Sequence, residues 1–242
     1  MARTLTIAIV GADGSGKTTL LHRLLQAEPG WRQVYMGASI ESANYSLPTS
    51  RWLIRRKRRA LRDFVTESDA VPPAALMTQE LRQRLPQGRL FKAVGLVNRI
   101  AEEWYRLLVV ALFRLSGHTV LCDRHFLFEY CPDSTHHVSL QALLSERIHR
   151  WQLSRLYPQP HLVVFLDAPV EILHARKPEW TLEHLARQRE GILEQARCTH
   201  HFARVDATQT PEAVFTAVMR LIEQRRHRGP MSRTGNADPA PP

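Results

Sequence analysis

The sequence predicts an α/β protein: a parallel sheet of about five strands with helices on both faces. Three observations lead there. Apolar runs rich in β-branched residues recur along the chain and end at glycine or aspartate, as strands buried on both faces do. Between them, leucine and valine repeat at three- and four-residue spacing, the period of helices that cover a sheet. Strand and helix patterns also alternate, which builds right-handed βαβ units.

Taken in order, "LTIAIV" (5–10) is the first buried strand, and Leu20, Leu21, Leu24 and Leu25 mark the helix behind it. "RQVYMG" (32–37) reads as a second, weaker strand. Residues 38–90 contain "RWLIRRKRRALRDF" and "VPPAALM" but no further strand, and are too short to bury a core of their own. We read them as a helical insertion over the mouth of the sheet. Phe91, Val94, Val97, Ile100, Trp104, Leu107, Leu108 and Ala111 predict a long helix stopped by Gly117. "HTVLCD" (118–123), "HLVVFLD" (161–167) and "FARVDA" (202–207) complete the sheet, with helices over 170–175, 182–193 and 211–222. The expected organisation is a single domain over 1–227, with a lid at 176–197. The tail 228–242, without apolar periodicity, is expected to be disordered.

The first strand runs into "GADGSGKTTL". Gly11, Gly16, Lys17 and Thr18 satisfy G-x-x-x-x-G-K-[ST] between a predicted strand and a predicted helix, the context this phosphate-binding loop requires. The expected scaffold is therefore a three-layer P-loop NTPase fold. The loop spans Gly11, Asp13, Gly14, Ser15, Gly16, Lys17, Thr18 and Thr19. Its glycines let backbone N–H groups turn toward phosphate oxygens, and the helix start adds its dipole. Lys17 is one of four lysines against twenty-nine arginines. A compact ammonium on a flexible stem suits the gap between β- and γ-phosphates better than a planar fork. The Thr18 hydroxyl is a Mg²⁺ ligand candidate, so a nucleoside triphosphate with Mg²⁺ is expected at this loop.

Composition narrows the setting. A formal net charge of +10 fits nucleic acid, an anionic surface or phosphorylated substrates, and equally an arginine-rich coding bias. Cys122, Cys131 and Cys198 form no C-x-x-C pair, which suits a reducing, cytoplasmic compartment. No signal-peptide core precedes the first strand, and "LLVVALF" (107–113) is too short to cross a bilayer. No N-K-x-D tetrapeptide, D-x-x-G switch or ATP-cassette signature is present.

In "GADGSGKTTL", "GHTVLCDRH", "HLVVFLDAPVEILHARK" and "RVDATQTPEAV", the chain resembles the thymidylate kinase-like nucleoside monophosphate kinases. The resemblance implies a kinase moving the γ-phosphate of ATP to a nucleoside monophosphate, with dTMP as the default acceptor. Asp13 would lie against the acceptor's sugar hydroxyl. Asp123 would hold Mg²⁺ through water, together with Thr18. Arg124 would bridge the two phosphates. Arg176 would open the lid and pack on adenine, with the loop around Asp206 and Ala207 at the base's edge. With glycine and serine at positions 14 and 15, the lid must supply the further cation. Arg176 is the best-matched candidate, followed by Lys177, Arg187 and Arg189. In place of the family's Glu-Pro-Gly-Gly-type segment stands "YMGASIESANYSLPTS" (35–50), so another phosphorylated or sugar-like acceptor stays open.

Other features have plainer explanations. Asp167 ends a strand and is expected to serve a structural turn. Arg99, Glu102, Glu103 and Arg106 form what is usually a solvated stripe; the resemblance, in which this helix lines the acceptor pocket, makes Arg99 and Arg106 secondary candidates there. His136–His137 and His200–His201 fit no zinc spacing. The basic run Arg55, Arg56, Lys57, Arg58, Arg59 and Arg62 is expected to close over an anionic acceptor. Its alternatives are nucleic acid, which is not favoured, and a solvated face. A homodimer is left open, as is a non-catalytic nucleotide-binding module.

Overall fold

The computed structural model describes residues 4–67, 89–129 and 157–227. Its sheet is five-stranded and parallel, in the order β2-β3-β1-β4-β5. The strands are β1 (Thr6–Val10), β2 (Arg32–Tyr35), β3 (Val120–Asp123), β4 (Leu162–Asp167) and β5 (Phe202–Asp206). The helices are α1 (Lys17–Ala27), α2 (Pro48–Glu67), α3 (Arg89–Leu115), α4 (Phe126–Glu129), α5 (Val170–Arg176), α6 (Leu182–Ala196) and α7 (Pro211–His227).

β1 is central and every residue in it is buried. Its alternating side chains feed two cores, because successive residues of a strand point to opposite faces. Ile7 and Ile9 pack with Leu21 and Leu24 of α1 and Val214, Val218 and Ile222 of α7. Ala8 and Val10 pack on the other face with Leu107 and Val110 of α3 and Ile192 of α6. This double burial explains why the strands read as continuous apolar runs.

Register places the site. Ile9 pairs with Asp123, and Tyr35 also pairs with Asp123, so β1, β2 and β3 end at one level. The phosphate loop leaves β1 there. β2 stops at Tyr35, although Met36 still donates from its backbone to the Asp123 carbonyl at 2.9 Å.

The described part of the 38–90 insertion carries no strand, and its helix α2 runs alongside α3, with Thr49 and Ser50 bonded to Asn98. Residues 68–88, His136–His137, Cys131 and the tail 228–242 lie outside the described residues. Among the described residues, no helix is long and apolar enough to cross a membrane.

Candidate active site

A cleft of about 690 Å³ opens at the carboxyl ends of the strands. The loop residues Asp13 through Thr19 form its floor, with Asp123, Arg124, Tyr35 and Ser42 to one side and Arg176, Lys177, Ala207, Gln209 and Val214 to the other. Ligands of parallel sheets bind at this end, where connections diverge.

The loop is built around close backbone approach. A Cβ on Gly11 would meet Ser15 Oγ at 2.5 Å and the Leu166 carbonyl at 2.8 Å. Gly14 adopts φ 87°, and a Cβ there would meet the Leu173 carbonyl at 2.6 Å. Only glycine satisfies both demands. Lys17 Nζ donates to the carbonyls of Gly11 and Ala12, at 2.9 and 2.8 Å, which draws the ammonium back across the loop. The N-cap of α1 is Gly16, with no side-chain cap and no acid in the first turn. The first amides of α1 therefore point into the cleft without a side-chain acceptor, a preformed anion seat. Ser15 Oγ is buried without a hydrogen-bond partner in the same loop. An oxygen-rich anion satisfies both.

Asp13 and Arg124 join across the loop. The Arg124 guanidinium donates to Asp13 Oδ1 at 2.7 Å, and Lys17 Nζ lies 3.9 Å from the same oxygen. Burial alone would raise the Asp13 carboxyl, but Arg124, Lys17 and Lys177 hold it below the ordinary carboxylate value. Arg124 itself takes the left-handed conformation, φ 64°, with its N–H bonded to the Ile9 carbonyl at 3.1 Å. Non-glycine residues in that region are uncommon and cluster at functional sites. Asp123 ends β3 in the cleft wall that Thr18 also lines, and Gln33 Nε2 approaches its Oδ2 at 3.5 Å.

Across the cleft, Arg176 at the end of α5 donates to the Ala207 carbonyl at 2.9 Å and lines the cavity with Lys177. Asp206 points elsewhere. Its Oδ1 accepts from the Thr208 amide and hydroxyl at 2.9 and 2.7 Å, shaping the turn that presents Ala207 and Gln209. Arg189, one of the lid candidates, is committed to Asp167 at 2.6 Å; Arg204 is the second partner of that carboxylate. Burial raises Asp167, and the hydrogen bonds and charges of Arg189 and Arg204 bring it below its ordinary value. These ion pairs occupy the Asp167 carboxylate and keep Arg189 out of the cleft lining. α6 is further anchored by Thr181, whose hydroxyl caps the His184 amide, and by Gln188, whose Oε1 accepts from the Asp13 amide at 3.3 Å. Gln188 had no sequence signal, since a glutamine on a polar helix face is unremarkable until the fold sets it against the loop.

The polar stripe of α3 departs from expectation. Glu102, Glu103 and Arg106 are buried, not solvated. Arg106 donates to Glu102 Oε1 at 3.0–3.1 Å and to the Gly37 carbonyl at 2.7 Å, and its guanidinium lies over the Tyr35 and Phe126 rings. Glu102 Oε2 accepts from the Leu47 amide at 2.8 Å. The pair thus ties segment 37–47 to α3. An i,i+4 ion pair is legible in sequence; the loop that buries it is not. Among the described residues lining the cleft, none belongs to α2, so Arg55, Arg56 and Arg59 of the basic run are not seen closing over it; the side chains of Lys57, Arg58 and Arg62 lie outside the described residues.

No cluster of three His, Cys, Asp or Glu side chains among the described residues could hold a metal by protein ligands alone. One hydroxyl, Thr18, and one carboxylate, Asp123, on a phosphate-binding wall suit Mg²⁺, which keeps waters and takes phosphate oxygens for its remaining positions.

No protein-family model matches the chain. It is 28% identical over 230 residues to the phosphonates import ATP-binding protein PhnC 1 of Pseudomonas syringae pv. syringae (strain B728a), spanning 93% of this chain and 74% of that protein. It is 33% identical over 79 residues to the phosphoribosyl-dephospho-CoA transferase of Pseudomonas putida (strain GB-1), 32% of this chain and 38% of that protein. Among solved structures it is similar to deoxyadenosine kinase from M. mycoides with products bound, at a TM-score of 0.50 and 12% identity, covering 91% of this chain and 100% of that one. Sheet order, phosphate loop and this likeness agree: the chain has a P-loop kinase-like α/β fold.

Proposed function

We propose that the chain is an ATP- and Mg²⁺-dependent kinase of the thymidylate kinase-like kind, moving the γ-phosphate to a nucleoside monophosphate, with dTMP as default acceptor. The observation that carries this is Arg124, strained and paired with Asp13 at the seam between the phosphate loop and the β3 end. A cation there meets both donor and acceptor phosphates. Phosphoryl transfer needs in-line positioning and cations around the moving group more than covalent help from the protein.

In this reading, Gly11 to Thr19 cradle the donor phosphates and Lys17 leaves its carbonyls for the β- and γ-oxygens. Thr18 and Asp123 hold the metal, which neutralises phosphate charge when bound. Arg176 and Lys177 cover the donor side, and Ala207 and Gln209 frame the base. An acceptor oxygen attacks the γ-phosphorus as the bond to the β–γ bridging oxygen breaks, releasing ADP. A monophosphate oxygen arrives already ionised, so no general base is needed. That agrees with Asp13, whose lowered pKa makes it a poor proton acceptor.

A phosphorylated acceptor other than a nucleotide shares this chemistry. The Tyr35 and Ser42 contribution to the cleft, from the divergent segment 35–50, is the observation in its favour. The test is ADP release across a panel of nucleoside monophosphates and phosphosugars. One acceptor should raise turnover at least tenfold over ATP alone, and Lys17→Ala should abolish it without loss of fold. ATP binding with no acceptor-dependent ADP from any of them would instead identify a non-catalytic nucleotide-binding module.

A further inference from the structure

α2 contributes nothing to the cleft lining, yet its outer face gathers one kind of charge. Arg51, Arg55, Arg56 and Arg59 are exposed there, and Trp52 among them is 57% exposed. At about 100° per residue these positions fall within a single arc of about 140°, with Trp52 inside it. The Arg56 guanidinium lies 5.5 Å from the centroid of the Trp52 ring, and Arg51 Nε donates to Ser46 Oγ at 2.7 Å. Seven of the 33 lysines and arginines fall in positions 51–62, and no acidic residue stands between Glu41 and Asp63. An arginine-rich coding bias spreads arginine along a chain; it does not also clear the acids from one helix. A solvated face ordinarily mixes both signs of charge. Here Arg55 stands four residues from both Arg51 and Arg59, a repulsion that weakens the helix.

We propose that this face of α2 binds single-stranded nucleic acid, with its arginines on the phosphates and Trp52 stacked on a base. Such binding is independent of phosphoryl transfer in the cleft. From Arg51 to Arg59 the helix rises about 12 Å. That is the length of three to four phosphates at the roughly 3.4 Å spacing of a stacked strand. A phosphate chain relieves the repulsion along the whole arc, which one small anion cannot do. Trp52 selects the form of the strand. A duplex keeps its base faces stacked on one another, whereas a single strand offers them to an aromatic ring flanked by cations. A membrane surface fits less well, because an interfacial helix buries a broad apolar face in lipid. Leu53 and Ile54 are half-buried, and Trp52 is the large apolar side chain that the described part of α2 exposes.

The test is fluorescence anisotropy of the full chain with a labelled oligothymidylate of about 20 nucleotides, from about 50 to about 200 mM salt. Binding should weaken by about 20- to 50-fold across that range, the log–log slope of about −2 to −3 expected from three or four neutralised phosphates. Arg55→Ala/Arg56→Ala should weaken binding at least about tenfold at the low-salt end and make the slope shallower by about 1.4. Trp52→Ala should weaken binding at least about fivefold and keep the slope, because a ring contributes stacking without charge. Trp52→Phe should restore most of that loss. All of these side chains are exposed, and circular dichroism checks the fold of each variant. A duplex of the same length should bind more weakly and ignore Trp52→Ala. ATP at constant free Mg²⁺ should leave the strand bound, and Lys17→Ala should bind it as the wild type does, because α2 lies outside the cleft lining.

Absence of binding at the low-salt end overturns the proposal and leaves the run a solvated face. Displacement of the strand by ATP overturns it too, since the strand would then occupy the cleft. So does an affinity for the strand that ignores Trp52→Ala, or a duplex bound more tightly than the single strand. Tighter association with phosphatidylserine vesicles than with the oligonucleotide would assign the face to a membrane, and equal competition by polyglutamate would assign it to an acidic protein. Either result overturns the proposal.

Discussion

Arg124 combines a left-handed backbone with a side chain that reaches Asp13. Nothing about an Asp-Arg-His triplet after a strand announces that backbone conformation. It follows from the turn the chain makes on leaving β3, where the Arg124 amide bonds back to the Ile9 carbonyl. Two variants separate the backbone from the side chain. Arg124→Ala and Arg124→Gly both remove the guanidinium, and both should lower kcat far more than they raise the KM for ATP. Glycine accepts the left-handed region without a Cβ clash, so Arg124→Gly should be more stable than Arg124→Ala by about 1 kcal/mol in chemical denaturation. Equal stability of the two would mean that the backbone relaxes once the side chain is gone.

Its neighbour His125 makes a pH prediction. The ring is fully buried, and desolvation lowers its pKa from 6.5 to about 4. The unfolded chain takes up a proton near pH 6.5, while the folded chain does not until about pH 4. Folding stability therefore falls as pH drops through that window, by about 3 kcal/mol over its full width. Asp13 and Asp167, whose folded values are lowered, add their own loss only at more acidic pH. Denaturation at about pH 7 and about pH 4.5 should show wild type losing about 2 kcal/mol more than His125→Gln. Identical pH dependence would show that the ring is solvated.

At the scale of elements, the lid region and α2 diverge from their sequence impressions in different ways. The lid offered four cations to the site, but Asp167 claims Arg189 of α6, because a carboxylate buried at a strand end requires partners. α2 reads in sequence as an acceptor lid, yet its described arginines Arg51, Arg55, Arg56 and Arg59 are exposed and outside the cleft lining. Arg55 stands four residues from both Arg51 and Arg59, two like-charge pairs that each destabilise a helix by about 0.2–0.5 kcal/mol. Arg55→Ala should raise stability by up to about 0.5 kcal/mol at low salt, and the gain should vanish at high salt. Arg55→Ala/Arg56→Ala should leave the kinetic constants for ATP and acceptor within about twofold. A raised acceptor KM would return α2 to the active site, and salt-sensitive loss of polynucleotide binding would make it a nucleic-acid surface.

At the scale of the molecule, the cleft lies between two sets of elements held in register by the sheet and by contacts such as Gln188 against the phosphate loop. The loop, β2 and β3 stand on one side, and the end of α5 and the β5–α7 turn on the other. A ligand touching both sides stabilises the folded chain. At about one hundred times its dissociation constant, ATP with Mg²⁺ should add about 2.7 kcal/mol. For a chain of this size, that raises Tm by about 5–10 °C. Lys17→Ala should lose most of the rise, while Leu115→Glu, remote from the cleft, should keep it. Absence of any rise in wild type would remove ATP as the ligand.

The sequence by itself determined the layers and the loop. Burial on both faces forces continuous apolar strands, one-sided burial forces helical periodicity, and backbone cradling of phosphate forces glycines, a lysine and a hydroxyl at set spacing. These are local demands, written in adjacent residues. Only the tertiary structure decided which charges meet. Arg106 looked solvated until segment 37–47 folded over it, and Arg189 looked available until Asp167 at the end of β4 claimed it. Gln188 had no role until α6 was set against the loop, and Asp206 shapes a turn beside the cleft instead of lining it. The apolar spacing of α3 reads in sequence as core throughout, and only the packed fold shows that Leu107 and Val110 meet the core while Val97 and Leu108 stay exposed. Periodicity records that a residue avoids water or seeks it. The partner it finds depends on residues far along the chain, which one-dimensional order does not encode.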